Sequence, residues 1–201
     1  MRLSRNGTKG SVMNLTSVKR WLLRAFSWAQ PNFRRVRFFI KFRGTPIKID
    51  PTTWISRRCV IKVRGGGSIA IGRNCSIHDF AMILTHGGDI RIGDDCSLNP
   101  FSIIYGHGGV RIGNGVRIAA HTVIIPANHI PASDGMPLSD SGITAKGIEI
   151  GDQVWLGVGV RILDGVRIGR NAVVGAGSVV TKAVGSNSTV VGIPARVISQ
   201  R

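Results

Sequence analysis

"IEIGDQVWLGVGVRILDGVRIGRNAVVGAGSVVTKAV", residues 148–184, has a period that neither common secondary structure explains. Ile150, Leu156, Ile162, Ile168, Val174 and Val180 stand six residues apart. An amphipathic helix repeats every ~3.6 residues and a half-buried strand every ~2. A six-residue beat fits a solenoid with three short faces per turn, each face turning one aliphatic inward. A turn then takes roughly eighteen residues, and turns stack at the ~4.8 Å spacing of paired strands.

The same beat runs upstream through Ile49, Ile55 and Ile61, then Ile71, Ile77 and Ile83. Ile92, Leu98 and Ile104 follow, then Ile112, Ile118 and Ile124. Glycine follows the first aliphatic of most sets, as in "IGRN", "IGDD", "IGNG" and "IGDQ". Two positions before the next aliphatic sits a small or β-branched residue: Cys75, Cys96, Val116, Val154, Val166, Ala172 and Ser178. The spacing predicts six stacked coils from about residue 47, with Cys75 and Cys96 buried as small apolar groups in one slot of neighbouring coils.

Composition agrees. The chain has 201 residues, 43% of them hydrophobic, 27 glycines and only 6% aromatics, so the core is built from Ile and Val in strands. Net charge is +17, but residues 1–50 hold twelve Lys or Arg against one Asp. The basic excess therefore belongs to the first segment. Three cysteines are too few and odd in number for a disulfide framework, and no CxxC or HxxxH metal spacing occurs. Arg24 interrupts the one apolar stretch near the start, which argues against a signal peptide, and no run reaches the ~20 apolar residues of a membrane span. These features predict a cytoplasmic protein.

The beat is broken at regular places. Steps between first-face aliphatics are 22 (49 to 71), 21 (71 to 92), 20 (92 to 112), 38 (112 to 150) and 18 (150 to 168). Each excess follows the third face: "GGG" at 65–67, "HGG" at 86–88, "HGG" at 107–109, and an excursion over 128–147. His86, His107 and the Asn128–His129 pair are thereby expected along one edge of the prism. His78 and His121 fall elsewhere in the repeat and read as incidental.

These residues resemble the hexapeptide-repeat acyltransferases, in particular the maltose, galactoside and polysaccharide O-acetyltransferase branch. The resemblance covers roughly residues 47–198 and is strongest in 148–184 and in the closing "VGIPARVI". It implies an all-β fold, a left-handed parallel β-helix, with acetyl-CoA as co-substrate, no metal, and a homotrimer whose active sites lie between subunits. "IIPANH" matches the position of the general base, His129. A neutral imidazole is suited to taking a hydroxyl proton near pH 7. Asn99 matches an acceptor-binding residue. The family's acidic acceptor position is His107 here, and His86 lies on the same rim. "VWLG" corresponds to the family's "VWIG", so Val158 offers the backbone N–H to the thioester oxygen, where Ser, Gly or Ala is usual. Trp155, Ala176, Thr181, Lys182 and Arg196 match the donor side.

Zinc-dependent carbonic anhydrases share the coils, but their close His pair is missing, since His121 and His129 are eight residues apart. Serine acetyltransferases carry a large helical first domain, for which residues 1–46 are too short. A non-catalytic scaffold leaves the donor-side pattern unexplained. Sugar, capsule or exopolysaccharide unit, lipid-linked glycan, nucleotide sugar and antibiotic all fit as acceptors. The expected layout is a basic amphipathic extension over 1–46, a β-helix domain over 47–201 and a C-terminal tail over 183–201. In the extension Leu15, Val18, Leu22, Phe26 and Ala29 make a helical stripe beside Lys19, Arg20 and Arg24. Peripheral contact with an anionic membrane and capping of the first coil both fit it. No motif supports nucleic-acid binding.

Overall fold

The structure is a computed structural model and describes Phe42 and residues 44–200. The amphipathic stripe of residues 15–29 lies outside the described residues. From Ile47 onward the chain winds as a three-faced parallel β-helix. Face A stacks Ile47–Ile49, Ile69–Ile71, Ile90–Ile92, Val110–Ile112, Ile148–Ile150 and Arg167–Ile168 in that order. Face B stacks Trp54–Ile55, Ser76–Ile77, Ser97–Leu98, Arg117–Ile118, Trp155–Leu156 and Val173–Val174. Face C stacks Val60–Lys62, Met82–Leu84, Ile103–Tyr105, Val123–Ile124, Arg161–Ile162 and Val179–Val180.

Register follows the six-residue beat: Ile71 pairs with Ile92, Ile118 with Leu156, and Ile124 with Ile162. The stacked aliphatics fill the axis, and Ile77, Leu98, Ile118, Leu156 and Ile162 are wholly buried. Cys75 and Cys96 occupy one inward slot of adjacent coils and are buried. Their thiols donate to the carbonyls of Gly93 and Gly113, both at 3.1 Å. Contact with Cys75, then burial, pushes the Cys96 thiol up, which keeps it protonated.

The A/B corners explain the "IG" motif. Asp94 accepts from the Arg73 N–H at 2.7 Å, Asn114 from the Asp94 N–H at 2.8 Å, and Asp152 from the Asn114 N–H at 2.6 Å. A Cβ on Gly93 would meet the Asn114 side chain, and one on Gly113 the Asp152 side chain, so only glycine leaves room for this column. From the second coil on, one residue in each A/B corner turns left-handed, and Asn74, Asp95 and Asn171 take it at φ of 53°, 56° and 56°. At the B/C corner the left-handed residues are Phe80, Phe101 and His121 (φ 61°, 62° and 59°). Such a backbone costs about 1–3 kcal/mol per non-glycine residue. Stacking offsets part of it: the Phe80, Phe101 and His121 rings lie 5.0 Å apart and within 12° of parallel.

The last segment does not end as a loose tail. Ser188–Gly192 stacks on Val173–Val174 to extend face B, and Ala195–Gln200 returns antiparallel against it. Among the described residues no helix is long and apolar enough to cross a membrane.

Because axial residues touch the coils above and below, Ile118→Ala should lower unfolding free energy by ~2–5 kcal/mol, the cost of a buried cavity. Arg117→Ala, one residue away on the outer surface, should cost no more than ~1 kcal/mol, the worth of its exposed hydrogen bond to the Asp95 carbonyl. Urea denaturation of the two variants measures the contrast.

Candidate functional site

Every interruption of the repeat emerges at the C/A corner. There the His86 and His107 rings stack at 4.6 Å and 2° from parallel, with Tyr105 edge-on to both at 4.9 and 5.9 Å. His86 Nε2 and His107 Nδ1 are buried and lack a hydrogen-bond partner among the described residues. Burial first, and the neighbouring His86 second, pull the His107 pKa below the usual imidazole range.

His129 does not join this stack. Asn128–His129 pairs antiparallel with Ile143–Thr144, opposite the all-parallel coils, so the two arms of the excursion close into a short ladder at their root. His129 is exposed at that root, without a side-chain hydrogen bond or ring partner among the described residues. The returning arm is pinned by Asp164, whose Oδ1 accepts from the backbone N–H groups of Lys146 at 2.7 Å and Gly147 at 3.0 Å. Sequence reasoning missed Asp164. Its signal was its place, two residues after the third-face Ile162, level with the corner from which the excursion leaves. Thr181 and Lys182 occupy the same C/A corner in the last complete coil, both exposed.

Asn99, Val158 and Ala176 lie on the B/C corner instead. Asn99 donates from Nδ2 to the Ile118 carbonyl at 2.9 Å, which fixes its carboxamide along the coil edge. Val158 is 53% exposed and its carbonyl accepts from the Gly177 N–H at 2.8 Å, while its own N–H has no partner among the described residues. Trp155, 57% exposed, stands on face B between Arg117 and Val173 in the ladder. Arg196 is exposed on the returning strand that pairs with the face B extension.

The expected site residues thus form two groups. His86, His107, His129, Thr181 and Lys182 share the C/A corner; Asn99, Val158 and Ala176 share the B/C corner. Face C separates them, and the five residue steps from Ala176 to Thr181 span roughly 15 Å at strand rise. Within one prism the groups do not meet. His78 and His121 are packing residues: His78 lies 5.2 Å from Trp54, and His121 ends the aromatic stack. Among the described residues no three His, Cys, Asp or Glu side chains are gathered as metal ligands would be.

A three-faced β-helix with its insertions collected at a histidine-bearing corner is one class of protein: a hexapeptide-repeat solenoid. Residues 147–182 match the family described as bacterial transferase hexapeptide (six repeats). Across 184 residues the chain is 30% identical to the Mycobacterium tuberculosis protein named "Probable acetyltransferase Rv3034c", covering 92% of this chain and 57% of that one. Over 86 residues it is 41% identical to the galactoside O-acetyltransferase of Lactococcus lactis, covering 43% and 41% of the two chains. The chain spans about half the length of the curated relatives it matches. In three dimensions it is similar to AntD, an N-acyltransferase from Bacillus cereus in complex with dTDP and 3-hydroxybutyryl-CoA. The TM-score is 0.67 at 22% identity, over 82% of this chain and 88% of that one. This chain folds as a left-handed parallel β-helix with a match to the hexapeptide family over residues 147–182, and the relatives it is similar to are named acetyltransferases.

The His107 environment has a consequence for stability. Its folded pKa is depressed, so the unfolded chain takes up a proton first as pH falls through the ordinary imidazole value of ~6.5. The contribution is therefore complete above about pH 6.5 and is lost as pH falls through the depressed value. Urea midpoints measured at about pH 7.5 and 5 should fall further for the natural chain than for His107→Gln, which has no proton to gain.

Proposed function

We propose that this chain is an O-acetyltransferase that moves an acetyl group from acetyl-CoA to a hydroxyl of a sugar or glycan, in a homotrimer whose sites lie between subunits. One observation carries the reading. The residue matched to the base, His129, and the residue matched to the oxyanion donor, Val158, lie on two corners of one prism with face C between them, and a second copy would bring two such corners together. If the B/C corner of one copy faces the C/A corner of the next, His129 comes opposite the unpartnered Val158 N–H.

In that arrangement the His129 imidazole takes the acceptor hydroxyl proton as the oxygen attacks the thioester carbonyl carbon. The Val158 N–H donates to the oxygen that becomes negative, and a donor of this kind is worth roughly 3 kcal/mol of barrier. Collapse breaks the carbon–sulfur bond, and the imidazolium returns its proton to the departing CoA thiolate. Asn99 holds the acceptor beside the corner. Thr181 and Ala176 line the pantetheine path, and Lys182 and Arg196 meet the phosphate end as exposed cations. Trp155 flanks that path on face B. No residue in this scheme requires a metal.

His129→Ala should lower kcat by ~10²–10⁴-fold, the usual worth of a general base, with the acetyl-CoA KM little changed. Lys182→Ala should do the reverse, raising the acetyl-CoA KM while kcat stays near normal. The measurement is steady-state turnover against a panel of hydroxyl and amino acceptors. Near-normal kcat for His129→Ala on the best acceptor contradicts the assignment and makes His107 the next candidate.

A further inference from the structure

The outer surface of face A changes character along the solenoid. Its ladder reads Lys48, Ala70, Arg91, Arg111, Glu149 and Arg167. Arg91 and Arg111 are direct partners on adjacent coils, so two arginine side chains leave the sheet from backbones one strand spacing apart, about 4.8 Å. Like charges placed directly opposite destabilise a sheet. The available carboxylates relieve this only weakly. Asp89 reaches Arg91 at 3.8 Å, and Glu149 is shared between Arg111 at 3.8 Å and Arg167 at 3.5 Å, all with exposed partners. Pairs of that length and exposure contribute little.

The surface is also concave. A groove of about 700 Å³ runs from the C/A corner onto face A, lined by these three arginines, Lys146 and His107. Four permanent cations face two carboxylates, Asp89 and Glu149. Glycines 88, 108, 109, 147 and 165 line its corner end. The groove also adjoins the chemistry. Lys146 ends the excursion whose other arm carries His129, and the Asn128–His129 to Ile143–Thr144 pairing draws the two arms together.

A solvated basic face would not need a concave floor, a like-charged rung and a position at the root of the excursion. We propose that this groove binds the anionic group, a phosphate or a carboxylate, of the acceptor whose hydroxyl is acylated. Arg111 and Arg167 offer planar two-pronged donors to its oxygens, and Lys146 adds a point charge at the corner end. The substrate class is thereby a phosphorylated or acidic sugar rather than a neutral one. This rests on the acetyltransferase reading for the hydroxyl's fate, though not for the binding itself.

The test is calorimetric titration of the full chain, saturated with CoA to occupy the donor's own phosphate contacts. The ligands are glucose 1-phosphate, glucuronate and glucose. At least one anionic sugar should bind about tenfold or more tighter than glucose, and the comparison of the two separates phosphate from carboxylate. Arg111→Gln and Arg167→Gln should each reduce that preference about tenfold while leaving CoA affinity unchanged. Three sugars binding alike, no binding of either anionic sugar at millimolar concentration, or a preference that survives both substitutions overturns the proposal. Loss of the acetyltransferase reading would look different: CoA would fail to bind, or no acceptor would turn over, with the anionic preference intact.

Discussion

The coil-on-coil hydrogen-bond ladder is the constraint from which the rest follows. Each face contributes only two or three residues per coil, and each residue is in register with one above and one below. An added residue inside a face would invert the side chains that follow it, taking an axial isoleucine out to solvent. Extra residues are therefore tolerated only at corners. Here they collect at one corner, where Gly67, Gly88, Gly108 and Gly147 let successive loops pass closely. The architecture thus decides where polar and titratable groups can accumulate, and His86, His107 and His129 are found there.

The fold was legible because its determinants are local and periodic. The six-residue beat named the axial residues, and the arithmetic of interruptions named the C/A corner. Cys75 and Cys96 were placed correctly by the same counting. Side-chain detail was less accessible. That His86 and His107 stack while His129 stands apart depends on how the excursion closes its root by an antiparallel pairing, which a spacing rule does not encode. The role of Asp164 depends on backbone N–H groups eighteen and seventeen residues away. Phe80, Phe101 and His121 in left-handed turns run against conformational preference, and only the mutual stacking makes them intelligible.

The basic ladder of face A was within reach of sequence reasoning and was not found by it. In "IRIG" and "VRIG" the arginine is the outward residue between two inward aliphatics, so Arg91, Arg111 and Arg167 must share one surface. Attention to the +11 of the first fifty residues hid a smaller but better-organised charge in the repeat itself. That organisation also bears on His107, whose imidazole keeps a carboxylate out of the groove's corner end.

In the acetyltransferase proposed above, a working site needs corners from two copies, since His129 and Val158 stand a whole face apart on one prism. Mixed oligomers test this most directly. Val158→Pro removes the N–H without breaking a hydrogen bond seen among the described residues, and His129→Ala removes the base. Each variant alone should be nearly inactive. Hybrid trimers carrying both, co-expressed and purified through two different tags, should regain about a third of natural turnover, because one neighbouring pair in three then joins an intact base to an intact donor. Hybrids as inactive as their parents, or full activity in a monomer, would contradict it.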